Sequence, residues 1–371
     1  MNIGITCYPT YGGSGVVATE LGIALAERGH SVHFISYALP MRLTGFTDNV
    51  LFHEVEMSNY PLFDFPLYTL ALASKMVETA KYEKLDLFHC HYAIPHATSA
   101  YLAKQMLEPI DTKVITTLHG TDITLVGLEP SFLPVMKFSI ERSDGVTAVS
   151  RFLKEKTLTN YGIDKEIEVI PNFVDTRKYY RHPQEAPPHF ASPGEKIIVH
   201  ISNFRPVKRV ADVIRIFDQI HKKLPSRLVI VGDGPDRSQC ELLCRELGIH
   251  DHVKFLGKQT DVIHVLSTAD LFLMPSQSES FGLSALEAMA CGVPVVSSSV
   301  GGLPELQLHG KTGFIAEIGD IDRMSKYSID LLSNASKHQL FAEAARQRAT
   351  EFDASKIVAQ YEEYYQRVLA Q

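Results

Sequence analysis

Short apolar runs alternate with longer segments of helical periodicity along the chain. In the first half, the apolar runs predict strands at residues 3–8, 32–36, 85–90, 114–118, 145–149 and 167–170. Helices fit between them, for example at residues 15–28 and 95–106, and in the first of these Val16, Leu21 and Leu25 recur with a helical period. Such alternation predicts a parallel sheet that is covered by helices on both faces.

A break in this pattern separates two such series. Residues 182–195 contain four prolines, at positions 183, 187, 188 and 193, which is a composition typical of a linker. Further strands are predicted at residues 197–201, 228–231, 253–256, 271–274 and 294–298, and further helices at residues 208–223, 235–247, 283–291 and 322–332. A long helical stretch, residues 335–368, ends the chain and has a predicted bend near Phe352. The pattern therefore predicts an α/β fold with two doubly wound parallel-sheet domains.

Composition restricts the partners of this globular chain. The 371 residues are 45% hydrophobic and 21% charged, and 36 basic against 43 acidic residues give a formal net charge of −7. This balance argues against non-specific nucleic-acid binding, which needs a basic field.

The cysteines and the N-terminal residues indicate the compartment. Five scattered cysteines, an odd number, do not form a disulfide framework; they are Cys7, Cys90, Cys240, Cys244 and Cys291. The first residues run directly into a strand without the basic and apolar regions of a signal peptide. No apolar stretch approaches the roughly 20 residues that span a bilayer. We therefore expect a cytoplasmic protein, and the pattern does not separate a monomer from a homo-oligomer.

A glycine-rich loop follows the first predicted strand and opens a helix. Gly12, Gly13, Ser14 and Gly15 would let a ligand approach the backbone, and the helix N-terminus offers free amides to an anion. The loop also fits a dinucleotide-binding pattern, but that pattern requires an acidic residue at the end of the next strand, and residues 31–36 contain none. A phosphate loop and a tight turn without a ligand remain as the two interpretations.

Two more clusters follow predicted strands. His119, next to Gly120 and Thr121, comes directly after residues 114–118 and is either a cleft residue or a structural histidine. Arg205, Lys208 and Arg209 follow residues 197–201, where cations suit a diphosphate better than a merely solvated charge run. Because ligands of doubly wound sheets bind beyond the carboxyl ends of strands, both clusters are candidate site residues.

The most specific pattern is a pair of glutamates eight positions apart after residues 271–274. Glu279 falls in the loop and Glu287 falls within the following helix, whose N-terminal amides belong to residues 281–283. Those amides suit a phosphate, and the two carboxylates suit hydroxyl groups on either side of it. The combination predicts a nucleotide-sugar site, and a surface helix with solvated acids is the alternative.

A carboxylate motif for a metal is the other way to hold a diphosphate. Asp320 and Asp322 have the spacing of such a motif, but their position favours the start of a helix. We therefore expect no metal and no cofactor, because Arg205 and Lys208 supply the positive charge.

Taken together, the glycine loop, the His-Gly segment, the Arg-Pro-Val-Lys segment and the Glu-x7-Glu stretch resemble family 4 of the retaining glycosyltransferases over nearly the whole chain. That resemblance implies a GT-B fold, in which two Rossmann-like domains face a central cleft. It implies an acceptor-side domain at residues 1–181, a linker at 182–195 and a nucleotide-sugar-binding domain at 196–352. The C-terminal helix, residues 353–371, is expected to pack back on the first domain.

The resemblance also implies roles on the donor side. The expected donor-binding residues are Gly13, Arg205, Lys208, Glu279, Phe281, Gly282, Leu283 and Glu287. Of these, Glu279 would hold sugar hydroxyls, Glu287 would hold the uridine ribose, and Arg205 with Lys208 would neutralise the leaving diphosphate. The expected catalytic residues are His119, Arg205, Lys208 and Glu279, with His119 in contact with the donor sugar.

The expected acceptor-binding residues are Gly12, Gly13, Ser14, Tyr92 and Thr121. Within the family, the chain is most similar to members that act in the first step of bacillithiol synthesis, which implies UDP-N-acetylglucosamine as donor and L-malate as acceptor. Arg42 and Arg151 are candidate partners for a malate carboxylate.

Other acceptors, such as an inositol phosphate or a membrane lipid, are the first alternative to malate. A lipid acceptor predicts a basic, apolar helix that binds the membrane, and residues 65–84, which mix lysines with glutamates, match that pattern only weakly. A sugar-nucleotide 2-epimerase and a non-catalytic nucleotide-sugar binder are the remaining alternatives.

Overall fold

The computed structural model describes residues 1–10, 12–44, 46–57, 67–181 and 190–371. Two compact units make up this chain. The first consists of Met1–Asn172 together with Ala354–Gln371, and the second is Phe173–Asp353.

The first unit is built on a seven-stranded parallel sheet. Its strands are β1 (Asn2–Thr6), β2 (Ser31–Ser36), β3 (Val50–Glu54), β4 (Leu87–His91), β5 (Lys113–Leu118), β6 (Gly145–Ala148) and β7 (Glu168–Val169), in the order β3-β2-β1-β4-β5-β6-β7. Its helices are α1 (Gly13–Glu27), α2 (Tyr68–Glu83), α3 (Thr98–Leu107), α4 (Thr121–Thr124), α5 (Leu133–Arg142) and α6 (Arg151–Tyr161). A π turn at Ala93–Ala97 precedes α3, and a 3₁₀ turn at Val126–Leu128 follows α4.

The central strands of this sheet are buried on both faces, which explains their nearly continuous apolar sequence. All five residues of β4 are buried. On one face, Leu72 and Met76 of α2 and Ala100 of α3 pack in a cluster with Ile35 and Phe88. None of the described helices combines the length and the apolarity that crossing a bilayer requires.

A C-terminal helix, α14 (Ala354–Leu369), belongs to the first unit. Tyr361 and Tyr365 are fully buried there. The Tyr365 hydroxyl lies 2.7 Å from Nδ1 of His89, and the Tyr364 hydroxyl donates to the Val146 carbonyl at 3.1 Å. These buried polar contacts tie the end of the chain to β4 and β6.

The second unit contains a six-stranded parallel sheet. Its strands are β8 (Lys196–Ile201), β9 (Ser226–Val231), β10 (Val253–Gly257), β11 (Leu271–Met274), β12 (Val295–Ser298) and β13 (Gly313–Ala316), in the order β10-β9-β8-β11-β12-β13. Its helices are α7 (Val210–His221), α8 (Arg237–Glu246), α9 (Ile263–Thr268), α10 (Leu283–Ala290), α11 (Leu303–Leu306), α12 (Ile321–Ser333) and α13 (Ala335–Ala349), with 3₁₀ turns at Pro206–Lys208, His250–His252 and Thr350–Phe352. Ile216 and Phe217 of α7 are completely buried in its core.

Both sheets are wholly parallel and carry helices on their faces, so the predicted α/β class with two doubly wound units is confirmed. The sequence did not predict β3 or β13. Strand β3 is an edge strand with no fully buried residue, and β13 is four residues long and begins with Gly313, so neither gives a clear apolar run. The turn at Thr350–Phe352 lies at the predicted bend of the C-terminal stretch.

The second unit begins at Phe173, which is earlier in the chain than the expected linker at residues 182–195. Residues 182–189 of that linker lie outside the described residues. Arg346 of α13 explains the difference. Its guanidinium donates to the carbonyls of Tyr179 at 2.5 Å and Thr176 at 2.7 Å, so this segment belongs with the second unit rather than with the first.

Strand order also locates a switch point in each sheet. Chain connections diverge from β1 and β4 in the first unit and from β8 and β11 in the second. In doubly wound sheets, ligands bind beyond the carboxyl ends of the strands at such points. The loops after these four strands are therefore where site residues are expected.

Candidate functional site

In the second unit, the loops after β8 and β11 bring a lysine and a glutamate together. Nζ of Lys208 lies 2.5 Å from Oε1 of Glu279, and the two side chains are 22% and 11% exposed. The hydroxyl of Ser276 donates to the same Oε1 at 2.9 Å. Among the described residues, nothing donates a hydrogen bond to the second carboxylate oxygen of Glu279, which leaves Oε2 as an acceptor for a hydroxyl group.

The three cations that the sequence grouped after β8 do not share one environment. Arg209 pairs with Asp212 of α7 at 2.6 Å and thereby closes the first turn of that helix. Arg205 is exposed, and its side chain forms neither an ion pair nor a hydrogen bond within the described part of the chain. Of the three cations, Lys208 is therefore the one held against a predicted site residue, Glu279, and Arg205 is the one whose side chain has no partner among the described residues.

Backbone amides complete this edge of the second sheet. Gly282 precedes α10 with φ +97°, a left-handed conformation that glycine adopts without strain. The amides of Phe281, Gly282 and Leu283 lie at the start of this eight-residue helix, where the helix dipole favours an anion. Phe281 is buried and packs edge-on against Phe352, with ring centroids 5.6 Å apart, which anchors the turn.

Glu287 lies one turn into α10 and is 5% exposed. The hydroxyl of Tyr179 donates to its Oε1 at 2.8 Å. This hydrogen bond orients the carboxylate. Tyr179 was not among the expected site residues, and no local signal in the sequence marks it, because its partner is 108 residues away in the chain.

A third loop, after β12, holds the backbone of Glu279 in place. The Gly302 amide donates to the Glu279 carbonyl at 3.0 Å. Gly301 has φ +57°, and a Cβ there would lie 1.7 Å from that carbonyl oxygen. The Gly-Gly pair after a strand is the sequence signal that could have identified this loop.

In the first unit, the glycine loop connects β1 to α1. A Cβ on Gly15 would lie 2.6 Å from the Tyr8 carbonyl oxygen, so packing explains this glycine. A Cβ on Gly12 would meet no described atom within 4 Å, so packing against the described residues does not explain that one. Gly13 is exposed at the start of α1.

Three of the expected acceptor-side residues come together from separate loops. The Tyr92 hydroxyl donates to Oγ of Ser14 at 2.7 Å. Burial raises the pKa of Tyr92 to about 12, against hydrogen bonds to Ser14 and Thr121 that lower it. Tyr92 also has φ +91°, a strained conformation for a residue with a side chain. The structure thus places a protonated phenol between the loops after β1 and β5.

His119 lies at the end of β5 and is 9% exposed. Its Nε2 is 2.8 Å from Nδ1 of His91, and the two rings stack with centroids 5.0 Å apart. Burial lowers the pKa of His119 to about 3, so the ring is neutral at pH 7. It can therefore act as a hydrogen-bonding group and not as a cation.

Asp122 lies beneath this loop and is almost fully buried. Its carboxylate accepts from the amides of Gly120 at 2.9 Å and Ala93 at 3.3 Å. Burial raises its pKa to about 6 in spite of these bonds. The side chain ties the loop after β5 to the loop after β4.

The two aspartates with metal-motif spacing have structural partners. Asp320 caps α12 by accepting a hydrogen bond from the Arg323 amide at 3.0 Å. Asp322 accepts from the Gln219 side chain at 2.8 Å. Both therefore help to position α12 in the second unit.

Two protein-family models match the chain. One described as Glycosyltransferase Family 4 matches residues 11–178, and one described as Glycosyl transferases group 1 matches residues 183–348. Together they account for most of both units.

Among curated proteins, the chain is 50% identical to N-acetyl-alpha-D-glucosaminyl L-malate synthase of Bacillus anthracis, over 100% of this chain and 97% of that protein. It is 28% identical to the GDP-mannose-dependent alpha-(1-6)-phosphatidylinositol monomannoside mannosyltransferase of Mycolicibacterium smegmatis, over 63% of this chain and 64% of that protein.

Solved structures share the fold at lower identity. Sucrose-phosphate synthase from Thermosynechococcus elongatus has a TM-score of 0.80 at 22% identity, covering 100% of this chain and 99% of that one. Anabaena HepE in complex with UDP-glucose has a TM-score of 0.81 at 22% identity, covering 99% of this chain and 100% of that one. These likenesses confirm the expected GT-B fold.

Proposed function

This chain belongs to family 4 of the glycosyltransferases, and from that premise we propose that it transfers N-acetylglucosamine from UDP-N-acetylglucosamine to the hydroxyl group of L-malate. The observation that carries this proposal is the 50% identity, over the full length of the chain, to a protein named for that reaction. The residues at the two strand edges are chemically suited to the two substrates.

The second unit holds the donor in this proposal. Arg205 and Lys208 lie beside the diphosphate, together with the amides that open α10. The free Oε2 of Glu279 accepts a hydroxyl of the sugar, because its Oε1 is already occupied by Lys208 and Ser276. Glu287, held by Tyr179, accepts from the ribose. Carboxylates on either side of a cationic centre distinguish hydroxyl groups from phosphate.

The first unit binds the acceptor. Malate carries two carboxylates and one hydroxyl, and it needs donors for both acids. The N-terminal amides of α1 and the hydroxyl of Ser14 suit one carboxylate, and the Tyr92 phenol fixes Ser14. Of the two candidate arginines, Arg42 lies 3.7 Å from Glu20 and so has part of its charge compensated, while Arg151 is exposed at the start of α6.

In the chemical step, the malate hydroxyl oxygen forms a bond to the anomeric carbon while the bond from that carbon to the β-phosphate oxygen breaks. The hydroxyl proton passes to the leaving diphosphate, and attack on the same face retains the anomeric configuration. Negative charge builds on the diphosphate, where Lys208, Arg205 and the α10 amides stabilise it without a metal. One preorganised donor of this kind typically contributes about 2.7–4 kcal/mol to the transition state.

A test of the acceptor uses release of UDP from UDP-N-acetylglucosamine in EDTA with L-malate, with succinate or with no acceptor. Succinate keeps both carboxylates but lacks the hydroxyl, so it is the matched control. Release with L-malate alone supports the acceptor and the absence of a metal requirement. Equal release in all three samples, or donor binding without turnover, contradicts malate as the acceptor.

Two further arms address the donor and the stereochemistry. GDP-mannose replaces UDP-N-acetylglucosamine in the first, and we expect no transfer from it. In the second, the anomeric proton coupling of the product is measured by NMR. An α-linked product indicates retention, and a β-linked product contradicts the proposed mechanism.

A further inference from the structure

Two histidines and a glutamate converge in the first unit, apart from the residues assigned to the substrates. His33 lies on β2 and His53 lies on the edge strand β3. In the parallel register His53 is opposite Ile35, which is two residues after His33 on β2, so the two histidines share one face of the sheet. Glu83 is the last residue of α2, which contacts both strands. The ligand atoms of the three side chains all lie within 4.8 Å of one another.

Nitrogen atoms of the two rings lie close enough together to bind one ion. Nδ1 of His33 lies 3.0 Å from Nε2 of His53. The other nitrogen of His33 lies 3.0 Å from the hydroxyl of Ser31. When that nitrogen donates to Ser31, the lone pair on Nδ1 points toward His53, and such an outer hydrogen bond is the usual means of orienting a ligating histidine.

Charge at this position also favours a cation. Glu83 supplies a negative charge. The nearby Lys75 is paired with Glu78 at 3.0 Å, which compensates its positive charge.

We propose that His33, His53 and Glu83 bind one Zn²⁺ ion, with water in the fourth position. Two imidazoles and a carboxylate are donors that suit zinc. Tetrahedral bonds of about 2.0–2.1 Å place ligand atoms about 3.3 Å apart, close to the separation of the two ring nitrogens. The Glu83 carboxylate lies within 4.8 Å of both ring nitrogens, and ligation requires it to approach by a change of side-chain rotamer.

The ion links three elements rather than taking part in the transfer. Glu83 ends α2, which leads into β4, so it lies toward the amino edge of the sheet. The loops that hold Ser14 and Tyr92 lie at the carboxyl edge. Zinc here fastens the edge strand β3 to β2 and α2, and it is independent of the proposed metal-free chemistry.

The test measures Zn²⁺ and Co²⁺ binding to tag-free, chelator-treated full-length protein, by calorimetry and by the visible spectrum of Co²⁺. His53→Gln and Glu83→Gln are the variants, since both side chains are only half-buried and their replacement spares the core. His250→Gln is the matched control, on an exposed turn of the second unit. The five cysteines are buried and free. Reducing conditions keep them as thiols, and a thermal scan verifies that each sample is folded, so that no thiol becomes exposed and binds the metal.

We expect one Zn²⁺ per chain, a Co²⁺ spectrum of four- or five-coordinate type, and an affinity at least ten-fold weaker in both cluster variants but unchanged in His250→Gln. A hydrogen bond between two neutral rings would give the same 3.0 Å distance without a metal. Absence of stoichiometric binding, or binding that both cluster variants retain, therefore overturns the proposal. UDP release in EDTA is read separately, so failure of one proposal does not affect the other.

Discussion

Replacing Lys208 has two expected effects that can be measured separately, one on kcat and one on the stability of the second unit. Nζ of Lys208 is 2.5 Å from Glu279, and both side chains are largely buried. Lys208→Met removes one charged donor from the proposed diphosphate site, and we expect kcat to fall by about 10²–10³, or about 2.7–4 kcal/mol. The same change leaves the Glu279 carboxylate with the Ser276 hydroxyl as its remaining side-chain partner among the described residues, which destabilises the second unit.

The loss of kcat and the loss of stability differ in size, and only the loss of stability should be reversed by a second substitution. An uncompensated, partly exposed carboxylate costs about 1–2 kcal/mol, less than a fully buried one. For a unit of this size, that lowers the unfolding midpoint by about 2–8 °C. In the double variant Lys208→Met/Glu279→Gln, the unpaired charge is gone, so we expect the midpoint to recover while kcat remains low.

Steady-state UDP release and thermal unfolding are measured on the single and double variants. Lys222→Met is the matched control, because Lys222 forms a similar 2.6 Å pair with Asp218 in the same unit but is 64% exposed. We expect its kcat to equal that of the unmodified protein. A kcat for Lys208→Met within about three-fold of the unmodified value, well short of the loss expected for a charged donor, refutes the assignment. Recovery of kcat in the double variant would show that the loss came from folding.

Three other predictions follow from the described contacts. Tyr92→Phe removes the hydrogen bond to Ser14, so we expect the KM for malate to rise by about three- to ten-fold, corresponding to about 0.5–1.5 kcal/mol. The KM for the donor should not change. An unaltered KM for malate contradicts this role of Tyr92. For Asp122, burial raises the pKa of the carboxyl group from 3.8 in the unfolded chain to about 6 in the folded protein. The protonated side chain therefore contributes fully to the free energy of unfolding below pH 3.8, and this contribution, about 3 kcal/mol, is lost as the pH rises through 6. The stability of Asp122→Asn relative to the unmodified protein should therefore increase between about pH 4 and pH 7, and a difference that is flat with pH in thermal scans refutes it. Gly301→Ala combines a positive φ with a clash against the Glu279 carbonyl and should lower the free energy of unfolding by about 2–4 kcal/mol. The control Gly248→Ala has a positive φ in open space and should lower it by about 1 kcal/mol. Equal unfolding midpoints for the two variants would contradict the importance of the close approach at Gly301.

Sequence reasoning located the loops of the site because of a regularity of parallel sheets. Once apolar runs are recognised as strands, the polar residues that follow them lie at the carboxyl edge. His119, Arg205, Lys208 and Glu279 were identified in this way, whereas Tyr92 was expected only from the family resemblance. The chemical roles of these residues remain predictions, since the geometry shows their positions and contacts and not their substrates.

Partners that are distant in the chain were beyond such reasoning. Tyr179, for example, orients Glu287 from 108 residues away. The cluster of His33, His53 and Glu83 has no sequence spacing that marks it, because two neighbouring strands and a helix end bring it together. Likewise, β3 lacked a signal since an edge strand is incompletely buried.

The sequence by itself determined which segments are buried and with what period, and hence the α/β class, the two parallel sheets and the strand ends that carry polar residues. Only the tertiary structure decided which strands are neighbours, where the first unit ends and which side chains meet. The reason is physical: burial imposes a periodicity that each segment records locally. The free energy of packing and hydrogen bonding between distant segments depends on the whole fold.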